Sequence, residues 1–406
     1  MKLSIRRFRP VVAAGLVLFA AAAVARHGHS HEKGGDQGLL ALDLYARGNT
    51  VDLLLASASG SEVGLEHRRS TDGGRTWQAP ALVPTGDHPL HKPHRGSDPQ
   101  LAAAGDRLVA LWTIPGSSRW GSGPLATAVS KDGGRSWTAG PNPADDGSTD
   151  GHGYTDLAAD GAGTFHAVWL DGRGGSQGLW AARSTDGGAT WQPNRTLDAR
   201  TCECCWNRLL VPEAGHLKVI YRDRDPRDLA VAGSKDGGAT WSRLSTAGAF
   251  DWRIEACPHA GGALAGSGDT LTALAFTGVE GKAGLYVLGS GDGGTTWSEP
   301  RPLPDPKAHR ADLAASGPAL LAVWDAPGAA GKKVVRASLS TDGGASWSEP
   351  KALSAAGASA EQPRVVAVEK GFVVAWSETP PGGTSRLGLR RVEVVDGKIV
   401  AQAPGP

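Results

Sequence analysis

The stretch Ser70–Trp77 reads Ser-Thr-Asp-Gly-Gly-Arg-Thr-Trp, and the pattern Ser-x-Asp-Gly-Gly-x-(Ser/Thr)-Trp occurs six times in this chain of 406 residues. The copies begin at Ser70, Ser130, Ser184, Ser234, Ser290 and Ser340. A spacing of 50 to 60 residues is typical of a repeat architecture built from β-strands. The aspartate can accept hydrogen bonds from backbone amides, and the two glycines adopt positive φ without a Cβ penalty. The motif therefore predicts a structural hairpin turn, followed by a tryptophan whose large side chain is buried against the sheet.

A second repeat predicts the number of units. Short apolar runs, most of them ending in an aromatic residue, recur at residues 51–55, 108–112, 166–169, 218–221, 274–276, 322–324 and 373–376. Seven runs against six octapeptides indicate a last unit whose turn is degraded to Val395-Asp396-Gly397. A unit of about 50 residues suits one four-stranded blade. We therefore expect an all-β protein, a β-propeller of seven four-stranded blades (six as the alternative), with the octapeptide turns between the outer strands.

The octapeptides resemble the Asp-box (BNR) repeats of the sialidase superfamily, and the resemblance covers nearly all of the mature chain at the level of fold. The matching aspartates are Asp72, Asp132, Asp186, Asp236, Asp292 and Asp342. Residues 201–206 (TCECCW) and 251–259 (DWRIEACPH) are also similar to segments of exported bacterial BNR-repeat proteins described as sialidase-like. This second resemblance implies that the cysteines act as one unit, but it implies no particular reaction.

The N-terminus has the features of a secretory signal. Four basic residues, Lys2, Arg6, Arg7 and Arg9, precede an apolar run, and Ala23-Val24-Ala25 is a plausible cleavage site. We therefore expect a signal peptide at 1–25, a flexible His/Gly-rich tail at 26–37 that could also collect metal ions loosely, and one propeller domain at 38–406. The predicted location is periplasmic or secreted.

The charge of the mature chain limits its partners. Removal of residues 1–25 leaves 38 Lys and Arg against 41 Asp and Glu, a net charge of −3. This balance argues against nucleic acid and anionic membranes as partners. Beyond the signal, the sequence offers no stretch that could span a bilayer. The oligomeric state stays open.

All four cysteines fall in two consecutive loops between blades. Cys202, Cys204 and Cys205 are predicted to precede the fourth blade, and Cys257 the fifth. Such loops crowd one face of a propeller around the central channel, where function is usually carried. Three interpretations stay open: a soft-metal site, a disulfide from the Cys-x-Cys-Cys segment to Cys257, or a redox-active set of thiols.

The metal-site interpretation is our first hypothesis. Thiolate and imidazole ligands select copper or another soft metal ion over magnesium or calcium. The candidate ligands are Cys202, Cys204, Cys205, Cys257 and His259, with His94 and His152 in reserve. Glu203 and Trp206 would shape ligand basicity and solvent access. The only methionine is Met1, so thioether ligation is excluded.

Two further functions are alternatives. The first is an exo-acting glycoside hydrolase on acidic sugars, as the sialidase resemblance implies, in which arginines would clamp a glycan carboxylate. Its weak catalytic candidates are Arg173, Arg222, Asp223, Arg224 and Tyr154. The second is a platform for protein interaction. The expected ligand at the channel mouth is accordingly a metal ion or a small molecule or glycan.

Overall fold

Each repeat of the sequence folds into a four-stranded antiparallel blade. The computed structural model describes residues 38–94, 96–117 and 121–402, so the predicted signal peptide and His/Gly-rich tail lie outside it. Seven such sheets are present in the described residues, each made of four consecutive strands. The prediction of a seven-bladed propeller is therefore confirmed.

The four strands of each blade run outward from the channel. The first strands are β1 (Gly38–Arg47), β5 (Gln100–Ala104), β9 (Gly153–Ala159), β13 (Arg208–Glu213), β17 (Ala263–Ser267), β21 (His309–Ser316) and β25 (Ser359–Val368). The second strands are β2 (Thr50–Ser59), β6 (Arg107–Pro115), β10 (Phe165–Asp171), β14 (His216–Arg222), β18 (Thr270–Thr277), β22 (Ala319–Pro327) and β26 (Gly371–Thr379). The third strands are β3 (Glu62–Ser70), β7 (Ser122–Ser130), β11 (Gly178–Ser184), β15 (Leu229–Ser234), β19 (Gly284–Ser290), β23 (Lys333–Ser340) and β27 (Arg386–Val395). The fourth strands are β4 (Ala81–Val83), β8 (Thr138–Gly140), β12 (Arg195–Asp198), β16 (Ser242–Ala247), β20 (Arg301–Pro302), β24 (Lys351–Ala352) and β28 (Lys398–Gln402), and a 3-10 turn covers Ala329–Gly331.

The first strands of all seven blades line one central channel, whose cavity has a volume of about 240 Å³. The apolar core is divided into seven clusters, each shared by two neighbouring blades. Trp169, Trp324 and Trp376, on second strands, are fully buried in these clusters. The octapeptide tryptophans are mostly half-buried instead, with Trp137 the most enclosed at 9 % exposure. The expectation that these tryptophans are buried against the sheets is therefore only partly met, because the second-strand aromatic side chains already fill the apolar interfaces between blades.

The Asp-box turn is held by its own side chains. In the second copy, Ser130 Oγ donates to Asp132 Oδ1 and accepts from the Gly134 amide at 2.9 Å. Asp132 in turn accepts from the amide and hydroxyl of Ser136, at 2.9 and 2.5 Å. The second glycine has φ +82°, and a Cβ there would lie 2.1 Å from a ring carbon of His67 on the preceding blade. Each box therefore closes a hairpin and packs against its neighbour, which confirms its structural role.

We expect the propeller to lose stability in acid, below about pH 4. Hydrogen bonds from the hydroxyl and amide at the fourth residue after each aspartate lower the pKa of Asp132, Asp292 and Asp342 to about 2. A carboxylate whose pKa falls on folding stabilises the native state above its unfolded pKa of about 3.9, and this contribution is lost as the pH falls toward 2. The thermal unfolding midpoint, measured between pH 5 and 2.5, should fall steeply below pH 4.

A triple Asp-to-Asn variant at Asp132, Asp292 and Asp342 provides the control, and its midpoint should depend less on pH in that range. Burial raises the pKa of Asp43 to about 6. Protonation of Asp43 therefore stabilises the folded protein as the pH falls from about 6 to 4, which is the opposite of the effect expected for the box aspartates. The comparison is therefore made below pH 4. A midpoint that stays constant from pH 5 to 2.5 would contradict this role of the boxes.

The first and last blades meet without sharing a strand. A single parallel β-bridge joins Gly38 to Ser385, with the Leu39 amide donating to the Ser385 carbonyl at 2.9 Å. Buried Arg391 donates to the Gly73 carbonyl of the first box, and an apolar cluster spans the same junction. We call this junction the seam.

Candidate metal centre at the channel mouth

The Cys-x-Cys-Cys segment lies in the loop that connects β12 to β13. The Cys202 amide donates to the Arg222 carbonyl at 3.0 Å, and Thr201 forms a β-bridge with Asp223. At the other end of the loop, the Trp206 indole donates to the Gly262 carbonyl at 3.2 Å. The segment is thereby fixed between the fourth blade and the loop that leads into the fifth.

Three thiols converge in this loop. Cys202 Sγ lies 3.7 Å from Cys204 Sγ and 3.4 Å from Cys205 Sγ, and all three sulfur atoms lie within 4.8 Å of one another. All three side chains are buried, and all four cysteines of the chain are free thiols. We call Cys202, Cys204 and Cys205 the thiol cluster.

Cys257 and His259 lie at the edge of this cluster. Cys257 is exposed and hydrogen-bonds to Cys204, and this bond lowers the pKa of its thiol to about 7. His259 is also exposed and has a positive φ of 46°. The two inter-blade loops lie side by side, but neither Cys257 nor His259 belongs to the group of three sulfur atoms within 4.8 Å of one another.

Two buried arginines, Arg222 and Arg227, lie beside the thiol cluster, and the sequence analysis assigned neither of them this role. Arg227 Nη1 donates to Cys202 Sγ at 3.0 Å, and its Nε donates to the Ile254 carbonyl at 3.1 Å. The charge of Arg222 lies close enough to Cys205 and Cys202 to interact with their thiols. The guanidinium group of Arg222 also donates to the carbonyls of Ala260, Arg227 and Phe276. The sulfur atoms thus lie in a buried, electropositive environment.

The thiol cluster holds one negative charge readily. Hydrogen bonds with the Cys204 and Cys205 thiols, together with the charge of Arg227, lower the pKa of Cys202. The same hydrogen bonds raise the pKa of Cys204, and burial raises that of Cys205 to about 12. One thiolate beside two thiols is the expected metal-free state, and further protons would leave only when a cation binds.

Tyr154 covers the thiol cluster from the third blade. Its ring packs against the three cysteines, and its backbone carbonyl accepts from Asn207 Nδ2 at 2.8 Å. Burial and the neighbouring thiols raise the pKa of Tyr154, so its hydroxyl group stays protonated. The exposed ring of His94 meets Tyr154 edge to face, with centroids 6.2 Å apart. His94 is not a member of the group of thiols whose sulfur atoms lie within 4.8 Å of one another.

His152 lies in a different group of side chains. Its Nε2 is 3.3 Å from Asp146 Oδ1 and 3.3 Å from Asp171 Oδ2, and its Nδ1 bonds to the Gly123 carbonyl. The expectation that His152 stands in reserve for the cysteine site does not match these contacts.

The candidate carboxylate clamp is already engaged in contacts within the protein. Arg173 pairs with Asp145 at 2.7 Å and with Asp171 at 2.7 Å, and it lies over the Trp180 ring. Arg224 pairs with Glu203, while Asp223 pairs with Arg243 at 2.6 Å.

A belt of polar side chains inside the channel was missed by the sequence analysis. On each first strand we consider the residue that precedes a channel-lining Leu, or Val in the last blade. Six of these residues are polar and form the belt, namely Asp43, Gln100, Asp156, Arg208, Asp312 and Arg364, while the fifth blade has Ala263 at this position. The three aspartates each accept from a backbone amide of the next blade, those of Leu101, Leu209 and Val365. Arg364 Nη2 donates to Asp98 Oδ2 at 2.7 Å. The repeated polar-then-Leu pattern is the signal that could have revealed this belt.

The described residues form seven four-stranded blades around one channel, and the sequence carries six Asp-box turns. The family described as "BNR repeat-like domain" matches residues 56–254 of this chain. This match and the seven-bladed fold confirm the predicted resemblance to BNR-repeat propellers. In the described residues we find no helix of sufficient length and apolar character to cross a membrane.

Solved structures of similar fold include several proteins that act on glycans. A polysaccharide lyase of family PL25, an ulvan lyase bound to -[GlcA(1-4)Rha3S]-, is 12% identical with a TM-score of 0.59, covering 91% of this chain and 96% of its own. The intramolecular trans-sialidase of Ruminococcus gnavus is 15% identical with a TM-score of 0.50, covering 90% of this chain and 96% of its own. A Dyadobacter fermentans protein of unknown function is 16% identical with a TM-score of 0.50, covering 89% and 96%. No curated protein matches the sequence. At these identities the similarity shows the fold alone.

Proposed function

We propose that this protein is an exported BNR-repeat propeller that binds copper(I) through Cys202, Cys204 and Cys205 at the channel mouth. The observation that carries the proposal is the convergence of three buried thiols within 4.8 Å, beside two buried guanidinium groups. Its role would be metal handling outside the cytoplasm. Export follows from the signal-like residues 1–25 and stays part of the proposal.

The spacing of the sulfur atoms suits a shared ion. Sulfur atoms about 2.3 Å from one ion lie about 3.8 Å apart in a tetrahedral site and about 4.0 Å apart in the trigonal site that three thiolates form. The distances of 3.7 and 3.4 Å from Cys202 Sγ are shorter than these values, so the thiols would move apart slightly when an ion binds. A disulfide bond of about 2.05 Å would require the cluster to rearrange.

Charge favours a monovalent soft ion. Three thiolates and one copper(I) ion carry a net charge of −2, which Arg222 and Arg227 balance. Buried charges are costly unless they are paired, so this neutrality supports copper(I) over a divalent ion at the same three ligands.

The remaining candidates would act around this core. Cys257 is exposed and contacts Cys204, so we assign it to the transfer of the ion between solvent and the buried thiols. His259 lies on the same outer loop and would assist it. Glu203 pairs with Arg224 at the surface, and Trp206 is buried beside the thiol cluster. Both would control access rather than bind the ion.

The glycoside hydrolase alternative receives less support from these residues. Three nitrogen atoms of Arg222 already bond to backbone carbonyls, and Arg173 is held by two aspartates. Tyr154 packs on sulfur rather than beside a carboxylate that could activate it. Because solved structures of similar fold act on glycans, the test of the proposal includes a glycosidase assay.

The direct test is a copper(I) titration of the mature protein, purified without oxygen, against a coloured competing chelator. We expect one copper ion per chain at the thiol cluster, and X-ray absorption should report sulfur neighbours only. Recovery of the cysteines as disulfides with no copper uptake would overturn the proposal. Turnover of a fluorogenic sialoside by metal-free protein would instead support the hydrolase.

A further inference from the structure

A second candidate metal site lies on the third blade, apart from the thiol cluster. Asp146 lies in the loop between β8 and β9, His152 directly precedes β9, and Asp171 ends β10. Their ligand atoms all lie within 4.8 Å of one another. His152 is completely buried, and the side chains of Asp171 and Asp146 are 1% and 11% exposed.

The orientation of the imidazole ring points Nε2 into this group. His152 Nδ1 lies 3.1 Å from the Gly123 carbonyl, which can only accept, so Nδ1 carries a proton. Among the described residues, His152 Nε2 and both carboxylate oxygens of Asp146 are buried without a hydrogen-bond partner. A neutral imidazole would direct its Nε2 lone pair at two carboxylates, which is unfavourable unless a proton or a metal ion lies between them. Buried polar atoms without partners call for such an explanation.

The distances distinguish a metal ion from a proton. A charge-assisted N–H···O bond is about 2.7–2.9 Å long, and one proton on Nε2 can point at only one oxygen. Here both oxygens lie at the same 3.3 Å from Nε2. Nitrogen and oxygen ligands at about 2.0–2.2 Å from a tetrahedral ion are about 3.3–3.6 Å apart. The two equal distances therefore match the edges of a coordination tetrahedron.

We propose that Asp146, His152 and Asp171 bind a divalent transition-metal ion, best suited to Zn²⁺, with water as the remaining ligand. One imidazole and two carboxylates form a harder ligand set than the thiol cluster, so the two sites would select different metals. The chain would then carry a copper site and a zinc site on neighbouring blades.

The surroundings support the ligand orientation. Asp171 Oδ2 accepts from the Trp169 indole at 3.0 Å and from Arg173 Nε at 2.8 Å. Outer partners of this kind fix a ligating carboxylate. Because Asp171 Oδ2 already accepts these hydrogen bonds and the oxygens of Asp146 accept none, Asp146 should contribute more than Asp171 to the affinity for the metal ion.

The test compares Zn²⁺ binding by the metal-stripped mature protein and by a His152→Gln variant, using isothermal titration and metal analysis. The wild type should bind one tightly held zinc ion at the site of His152. The affinity of this site for zinc should be at least about a hundredfold lower in the His152→Gln variant. Asp146→Asn, in a loop, should also weaken the site. Zinc bound by the thiols or by the His/Gly-rich tail is common to all variants and cancels in the comparison.

His166→Gln is the matched control, because His166 is also buried and its Nε2 lies 3.8 Å from a single carboxylate, that of Asp160. This variant should bind zinc like the wild type. Equal zinc binding by wild type and His152→Gln would overturn the proposal, as would NMR evidence that His152 stays doubly protonated in the presence of zinc. Neither result bears on copper(I) binding by the cysteines, so the two proposals can fail separately.

Discussion

Replacing Cys204 by serine is expected to lower the affinity for copper(I) more than about a hundredfold. The expectation follows because changes at groups that only support a ligand already cost 10–100-fold, and Cys204 would be a ligand itself. Its sulfur lies 3.7 Å from Cys202 Sγ and also contacts Cys257, so its loss removes the link between the buried thiols and the exposed one. Competition against a copper(I) chelator measures the change.

Cys257→Ser is the matched control for this prediction. Cys257 is exposed, so its loss should slow copper uptake while changing the equilibrium affinity less than about tenfold. The unfolding midpoints of both metal-free variants should stay near that of the wild type. A Cys204→Ser protein that folds and keeps wild-type affinity would show that the three thiols do not form one site.

The second large effect is expected for Arg364→Ala, which should destabilise the protein by about 3–5 kcal/mol. Arg364 pairs with Asp98 at 2.7 Å and lies 3.9 Å from Asp43, and all three side chains are at least nine-tenths buried. The substitution would leave two carboxyl groups in the channel without their cation. Urea unfolding monitored by tryptophan fluorescence gives the change in free energy.

Two further variants test the cause of this loss. Combining Arg364→Met with Asp98→Asn removes both charges of the closest pair, so the double variant should be more stable than Arg364→Ala. Arg253→Ala removes an arginine paired only with exposed Asp225 and Asp251, and should change stability little. An Arg364→Ala protein as stable as the Arg253→Ala protein would refute the role of the belt.

Local turn chemistry explains why the architecture was predictable from sequence. Ser130, Asp132 and Ser136 make their hydrogen bonds within seven residues, so the same octapeptide produces the same turn in every blade. Counting second-strand runs then gave the seventh blade. The approach of Cys257 to Cys204 was also predictable, because consecutive inter-blade loops lie side by side.

The partners of the thiol cluster were not predictable in the same way. Arg227 reaches Cys202 only because its loop folds back, with its amide bonded to the Trp252 carbonyl at 2.6 Å. Asp146 meets His152 through the path of a loop with no repeat signature. In both cases the relevant distance depends on tertiary packing of irregular backbone, which the sequence pattern does not encode.

The seam has a consequence for how this protein could be rearranged. Since every sheet is made of strands adjacent in the chain, a circular permutation that joins the two ends by a linker and opens a different inter-blade loop leaves all seven sheets covalently continuous. The contacts of the seam, among them the Gly38–Ser385 bridge, the Arg391 contact and the shared apolar cluster, would then lie within a connected stretch instead of between distant ones. The sheets therefore do not determine which blade comes first in the chain, and any of the seven could be the N-terminal one.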